Sequence, residues 1–201
     1  MKSSFLSILF SILAAISVAQ NFELGLNAGL ADYSVHNIYS KGVYNNVTLY
    51  QSSVIAVPLS ASVLYNYKKF QFGAAIETST INYKSRYQPD FGILPYITLN
   101  NRVHETPVKL FANKLLHFKK IEGYVGLSGL YNFLKSAGNE FVQTSHTSSI
   151  GFGAQAGATY FISKHIGFNA EISGRSNNFP AGPLDKNIIT VPVTIGFRYK
   201  L

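Results

Sequence analysis

The chain has 201 residues, of which 47% are hydrophobic and 16 are glycine, so a disordered or collagen-like chain is excluded and one folded domain is expected. It has no cysteine, which excludes disulfides and thiolate metal sites. The formal net charge is +8, but lysines stand in pairs at 68–69 and 119–120 rather than along one patch, so a nucleic-acid binder is not predicted.

Residues 1–19 have the pattern of a secretory signal peptide. Lys2 supplies the charged start, residues 5–16 the apolar stretch, and Ser17-Val18-Ala19 a small-x-small cleavage site. The apolar run is shorter than the roughly 20 residues that a membrane-spanning helix needs. The sequence therefore predicts cleavage near Gln20 and a mature domain over residues 20–201.

The rest of the chain alternates between apolar and polar side chains with a period of two, which is typical of strands with two unlike faces. Turn or loop residues divide it into eight segments, each long enough for the roughly 9–11 residues of a tilted transmembrane strand. The segments are 21–31, 54–67, 70–84, 105–118, 121–134, 148–162, 165–175 and 187–201.

The connections between these segments alternate between long and short. This pattern predicts an all-β fold, an eight-stranded antiparallel up-and-down transmembrane β-barrel with short periplasmic turns and longer external loops. The last segment alternates to its end, as expected for a strand that closes a barrel by pairing with the first. Pro58, Pro107 and Pro192 interrupt three strands, where we expect β-bulges to accommodate the missing backbone donor.

The same alternation places charged side chains inside the barrel. This predicted lumen charge network consists of Glu23, Glu77, Lys109, Glu122, Glu171, Arg198 and Lys200. Buried charges need partners, and Glu171 and Arg198, on neighbouring strands, are expected to form an ion pair. The network is compatible with a gated ion path or with a packed polar plug, and the narrow bore of eight strands favours the plug.

Three strand segments carry a family resemblance: Val57-Pro58-Leu59, Thr106-Pro107-Val108-Lys109-Leu110, and the run from Val191 to Tyr199. They resemble the strands of small Gram-negative outer-membrane barrel proteins, the OmpA/OmpX-like "outer membrane protein beta-barrel domain" families. The resemblance implies residence in the outer membrane among lipids and lipopolysaccharide. It also implies that the barrel-assembly machinery reads Phe197, Tyr199 and Leu201, although relatives often end in phenylalanine.

Catalytic and metal chemistry find little support in the sequence. His146-Thr147-Ser148 is similar to an arrangement in outer-membrane lipid A deacylases, but no carboxylate follows until Glu171, and a nucleophilic serine needs an oriented base. The five histidines are scattered singly, whereas zinc or copper needs convergent ligands. We expect no enzyme activity, no metal and no cofactor.

The long loops are the predicted place for recognition, because rigid scaffolds commonly carry binding residues on loops. Tyrosine and arginine, favoured at interfaces, make the candidates Tyr33, Tyr39, Tyr44, Arg86, Tyr87, Tyr96 and Arg102. They suit an unknown surface ligand or membrane-protein partner, or they lie among lipopolysaccharide headgroups without specific binding. The sequence thus favours a non-enzymatic outer-membrane barrel with a structural or surface-recognition role. The alternatives are a narrow channel and a lipid A-modifying enzyme.

Overall fold

The computed structural model describes residues 21–35, 39–40, 47–48, 54–87, 97–137, 145–178 and 187–201. The predicted signal peptide lies outside these residues. All regular structure within them is β-strand: β1 (Phe22–Val35), β2 (Tyr39–Ser40), β3 (Val47–Thr48), β4 (Val54–Ala56), β5 (Leu59–Tyr67), β6 (Phe70–Tyr87), β7 (Ile97–Phe118), β8 (Ile121–Ala137), β9 (Ser145–Phe161), β10 (Ile166–Asn178) and β11 (Asn187–Lys200).

One antiparallel sheet closes on itself. Its order is β11-β10-β9-β8-β7-β6-β5-β1, and β11 pairs again with β1 from Glu23↔Lys200 to Val35↔Ile188. β4 continues the register of β5 along β1, so β4 and β5 form one interrupted barrel strand. The remaining pair, β2 and β3, is a short hairpin between β1 and β4. The predicted eight-stranded antiparallel up-and-down barrel is confirmed.

The strands are strongly staggered around the barrel. If one starts at Tyr33 on β1 and passes from each residue to its paired residue on the next strand, one turn around the sheet returns to β1 at Glu23, ten residues from the start. The residues passed on the way are Thr190, Arg175, Gly153, Ser128, Phe111, Gly73 and Leu64. Such a stagger requires the strands to tilt by about 35–45° from the barrel axis. Two residues at the same height along the barrel axis therefore need not be paired with each other through the strands that lie between them.

The two ends of the barrel differ in their connections, as predicted. At one end, called the turn end below, Lys68-Lys69 and Lys119-Lys120 join strands directly, and Ser163 Oγ accepts hydrogen bonds from the backbone of the third turn. Lys68 and Lys119 have positive φ angles of 55° and 52°, which the tight primed hairpin turns require. The longer connections all leave from the opposite, loop end.

The strands extend further at the loop end than the alternation predicts. β1 continues to Val35 instead of residue 31, and β7 begins at Ile97 instead of residue 105. Backbone pairing continues there although the side chains become polar, for example between Arg102 and Asn82. The apolar pattern marks only the part of each strand that has an apolar face.

The predicted bulges at the three prolines are wrong. The pairing keeps the same register on both sides of Pro58, where Ala31 pairs with Ala56 and Ala28 pairs with Leu59. The same holds across Pro107 and across Pro192. All three rings point into the barrel and are fully buried. The sheet therefore tolerates each proline by omitting ladder bonds locally and not by inserting a residue.

The barrel is apolar outside and polar inside. Large apolar side chains are exposed on every barrel strand, including Leu26, Leu110, Leu127, Phe152 and Ile195, each more than 60% exposed. The buried side chains are mainly polar or charged. No helix able to cross a membrane occurs in the part of the chain that the structure describes. Contiguous apolar surface of this extent requires an apolar covering.

Candidate functional site

The charged and hydrogen-bonding side chains are concentrated in the lumen, and all seven predicted charges point into it. At the turn end, Glu23 is completely buried and accepts a hydrogen bond from Asn66 Nδ2 at 2.6 Å. Lys200 Nζ lies 3.3 Å from both Glu23 Oε1 and Glu122 Oε2, and Arg198 Nη1 lies 3.8 Å from Glu23 Oε2. We call Glu23, Glu122, Arg198 and Lys200 the turn-end cluster. It joins the first and last strands of the barrel.

A second group of side chains crosses the middle of the lumen. Lys109 Nζ lies 3.1 Å from Glu171 Oε1 and donates to Gln155 Oε1 at 2.9 Å. Tyr124 donates its hydroxyl hydrogen to Glu171 Oε2 at 2.8 Å, and the guanidinium of Arg198 lies 4.5 Å from the centre of the Tyr124 ring. These contacts connect strands two or three positions apart in the sheet, so they span the interior.

A chain of amide side chains connects this middle group to the turn-end cluster. Gln155 Nε2 donates to Asn113 Oδ1 at 2.8 Å, and Asn113 Nδ2 donates to Gln71 Oε1 at 3.1 Å. Gln71 Nε2 in turn donates to Asn66 Oδ1, next to Glu23. Each amide both donates and accepts, which satisfies the two groups that burial would otherwise leave unpaired.

A third group lies nearer the loop end. Arg175 Nη2 contacts Glu77 Oε1 at 2.5 Å, and both side chains are less than 10% exposed. β10 and β6 lie on opposite sides of the barrel, so this ion pair spans its full width. Close by, Tyr33 donates to Glu105 Oε2 at 2.6 Å and lies 2.9 Å from Ser79 Oγ. We call Tyr33, Glu77, Glu105 and Arg175 the loop-end cluster.

Glycines provide the space for these large side chains. A Cβ atom on Gly157 would collide with the ring of Tyr124, and one on Gly73 would collide with the ring of Phe111. Among these side chains lies a cavity of about 20 Å³, between Glu77, Lys109, Glu171, Arg175 and Arg198, among others. This is room for about one water molecule. Side chains therefore fill the bore at its centre.

The predicted Glu171–Arg198 ion pair is not present. Glu171 pairs with Lys109, and Arg198 is directed to Glu23 across the junction of β1 and β11. The backbone of Glu171 pairs with Thr194 instead, four residues from Arg198 along β11. With strands this strongly tilted, two inward residues on neighbouring strands meet only if the register brings them to the same height.

Two residues of the loop-end cluster were not among the predicted site residues. They are Arg175, at the end of the predicted segment 165–175, and Glu105, at the start of the predicted segment 105–118. Both are almost completely buried. A sequence signal exists for Glu105, since it lies an even number of residues from Lys109 on the same strand and must share its face.

One side of the lumen near the loop end carries polar groups that find no partner among the side chains and backbone that the structure describes. Asn132 lies directly opposite Ser149 in the β8–β9 pair, Asn177 lies beside Gly151, and Thr190 lies opposite Arg175. Among the described residues, both side-chain polar atoms of Asn132 and one each of Ser149, Asn177 and Thr190 find no hydrogen-bonding partner. Ordered water is the usual partner of such groups.

The predicted loop residues have mixed outcomes. Tyr33 is wrong as a loop residue, because it lies in β1 with its side chain buried in the loop-end cluster. Arg86, Tyr87 and Arg102 lie in the paired β6–β7 strands, and Tyr39 in β2. Arg102 is exposed and donates from Nε to Asn82 Oδ1 at 3.1 Å. Tyr44 and Tyr96 lie outside the described residues.

The predicted assembly residues Phe197, Tyr199 and Leu201 all face outward at the turn end and are about half exposed. The ring of Phe197 packs against Phe168 at a centroid distance of 4.7 Å. His146 and Ser148, whose arrangement is similar to one in lipid A deacylases, are exposed on the outer face of β9. Within the described ranges, no group of three or more His, Cys, Asp or Glu side chains is placed to hold a metal ion.

Comparison with known proteins supports the fold. No family model matches this sequence, and no curated protein matches it. Among solved structures, Neisserial surface protein A is similar with a TM-score of 0.63 at 14% identity, over 90% of this chain and 97% of that one. A major outer membrane protein from Thermus thermophilus has a TM-score of 0.52 at 12% identity, over 90% and 99%. The outer membrane protease OmpT from Escherichia coli has a TM-score of 0.51 at 8% identity, over 90% and 97%. The likeness to all three is one of fold.

Proposed function

We propose that this chain is an integral outer-membrane protein with a sealed barrel and a structural or surface-recognition role. The observation that carries the proposal is the reversed polarity of the barrel: exposed leucine, isoleucine and phenylalanine surround a lumen of paired charges. A closed sheet satisfies every backbone group without water, which is the condition for crossing lipid with strands. The turn end would face the periplasm and the loop end the exterior, as is usual for such barrels.

Insertion into lipid is tested by placing the same charge at two depths on one outer face. Ile195 lies in the middle of β11 and Ile189 near its loop end, and both are exposed. Ile195→Arg is expected to destabilise the folded protein in vesicles by about 2–4 kcal/mol, whereas Ile189→Arg costs about 0–1 kcal/mol, because the cost of a cation falls towards the interface. The folded fraction is measured by the heat-dependent gel shift. If the two substitutions cost the same, the outer face does not meet the bilayer core.

A non-conducting role is supported by the ion pairs that cross the bore. Arg175 and Glu77 connect opposite sides, Lys109 and Glu171 cross beneath them, and the space left at the centre holds about one water. In planar bilayers the wild-type protein is expected to give no unitary conductance steps. A porin measured in the same bilayers is the positive control. Reproducible ion-selective steps would replace this proposal by the narrow-channel alternative.

A protease-like or lipid-modifying role is a weaker candidate. OmpT is a protease, but the resemblance to it is at 8% identity. In the described part of this chain, His146 and Ser148 face outward opposite Lys135 and Phe133, and no carboxylate lies beside them in register. A nucleophilic serine needs a base that a third group orients. Unchanged lipid A masses with and without the protein are the expected result.

A further inference from the structure

The outer face of the barrel changes from apolar to basic side chains at one height. His104 on β7 lies opposite Lys135 on β8, and Lys135 lies opposite His146 on β9. All three side chains are exposed, and Arg102 follows at the next outward position of β7. We call Arg102, His104, Lys135 and His146 the basic row. Residues directly opposite in a sheet have Cβ atoms about 5 Å apart, so the row is continuous across three strands.

The basic row begins where the apolar surface ends. Along β8, the outward side chains Tyr131 and Phe133, which pack edge to face at 4.9 Å, are followed by Lys135. Along β9, outward Phe152 and Ile150 give way to Ser148 and then His146. In a membrane the boundary between apolar and charged surface lies at the lipid headgroups, where aromatic side chains are also favoured.

No carboxylate of the described residues balances this row. Of their six acidic side chains, Glu23, Glu77, Glu105, Glu122 and Glu171 point into the lumen. The sixth, Asp32, lies on β1, three positions from β7 in the sheet order. Arg102 and His104 are instead positioned by neutral groups of β6, Asn82 Oδ1 at 3.1 Å and Thr80 Oγ1 at 3.0 Å. Asn82 therefore positions Arg102 without neutralising its charge, and Thr80 positions the His104 ring.

We propose that the basic row binds the phosphate groups of an anionic lipid in the outer leaflet, an inference that rests on the proposed insertion into the outer membrane. Guanidinium groups bind phosphate oxygens in pairs of hydrogen bonds, and lysine acts as a point charge. The row spans two strand spacings, about 10 Å, so it suits a headgroup that carries more than one phosphate. Lipopolysaccharide supplies such a headgroup.

The test compares lipid retention by two charge-matched double variants. Arg102→Gln/Lys135→Gln removes two cations of the row, and Lys69→Gln/Lys120→Gln removes two exposed cations at the turn end. Each protein is refolded, checked by its heat-dependent gel shift, and mixed with purified lipopolysaccharide in neutral detergent. Retained lipid is counted by native mass spectrometry. A parallel arm uses the same lipid after enzymatic removal of its phosphates.

Loss of the two row cations is expected to weaken retention about 30-fold, since one cation near anionic headgroups contributes about fivefold. The turn-end variant retains lipid as the wild type does, and the dephosphorylated lipid is held equally weakly by all three proteins. Equal retention by both variants, or equal binding of the dephosphorylated lipid, overturns the inference. Tighter binding of soluble heparin than of lipid, lost in the Arg102→Gln/Lys135→Gln variant, would also overturn it and reassign the row to a soluble polyanion. A protein that shows no gel shift at all contradicts the proposed insertion instead.

Discussion

Arg175→Gln is expected to lower the free energy of unfolding by about 3–5 kcal/mol, because it removes the cation that faces the buried Glu77 and Glu105. Arg175 is the cation of the loop-end cluster, and the strand that carries it faces Glu77 across the full width of the barrel. Its loss therefore removes both a charge and a connection between opposite walls.

The measurement is the urea dependence of the folded fraction in neutral phosphatidylcholine vesicles. Arg102→Gln is the matched control, since the same change on an exposed arginine is expected to cost within about 0.5 kcal/mol. Adding Glu77→Gln to Arg175→Gln is expected to cost less than the sum of the two single changes, because contacting residues couple. If Arg175→Gln costs no more than Arg102→Gln, the loop-end cluster does not hold the barrel together.

The alternation of the sequence was sufficient to assign faces. Because successive side chains of a strand point to opposite sides, one apolar series on each strand fixes where every other residue of that strand points. Glu23, Lys109 and Arg198 could be placed in the lumen on this basis, and the structure places them there. Tyr33 followed the same rule, since it lies ten residues from Glu23 on one strand, but the end of the apolar pattern placed it wrongly in a loop.

The height of each side chain along the barrel axis could not be obtained from the alternation. Which inward charges meet depends on the stagger of all eight barrel strands, and alternation does not contain that quantity. Glu171 and Arg198 occupy neighbouring strands and the correct face, yet Glu171 meets Lys109 from three strands away. Similarly, Pro58 signals a missing donor, but whether the strand bulges or only omits a bond depends on the register of its neighbour.

The same stagger gives the outer surface its order. His104, Lys135 and His146 are 31 and 11 residues apart in the sequence, yet they form one row because each lies opposite the next in register. The sequence showed Arg102 as a predicted loop residue, but otherwise only scattered histidines and one lysine near a loop. A row of this kind can be identified only when the strand pairing is known. The recognition residues predicted from the sequence were therefore mainly loop tyrosines.

Glu23→Gln and Arg198→Gln are expected to be non-additive, because these two residues hold the junction between the first and last strands. Glu23 is fully buried, with Arg198 at 3.8 Å and Lys200 at 3.3 Å. Glu23→Gln leaves Arg198 with the neutral Gln71 Oε1 at 3.4 Å, so a cost of about 3 kcal/mol is expected. Arg198→Gln costs less, since Lys200 still faces Glu23.

The double-mutant cycle on the unfolding free energy decides between two partners for Arg198. For Glu23 with Arg198 the interaction energy is expected to lie in the range of about 0.5–3 kcal/mol that contacting residues show. The parallel cycle of Glu171→Gln with Arg198→Gln is expected to give a smaller value, because these residues are linked through intermediate side chains such as Tyr124, which donates to Glu171 and lies under the guanidinium of Arg198. A larger interaction energy for Glu171 than for Glu23 would place Arg198 in the middle of the lumen and leave the junction of β1 and β11 held by backbone pairing and Lys200 alone.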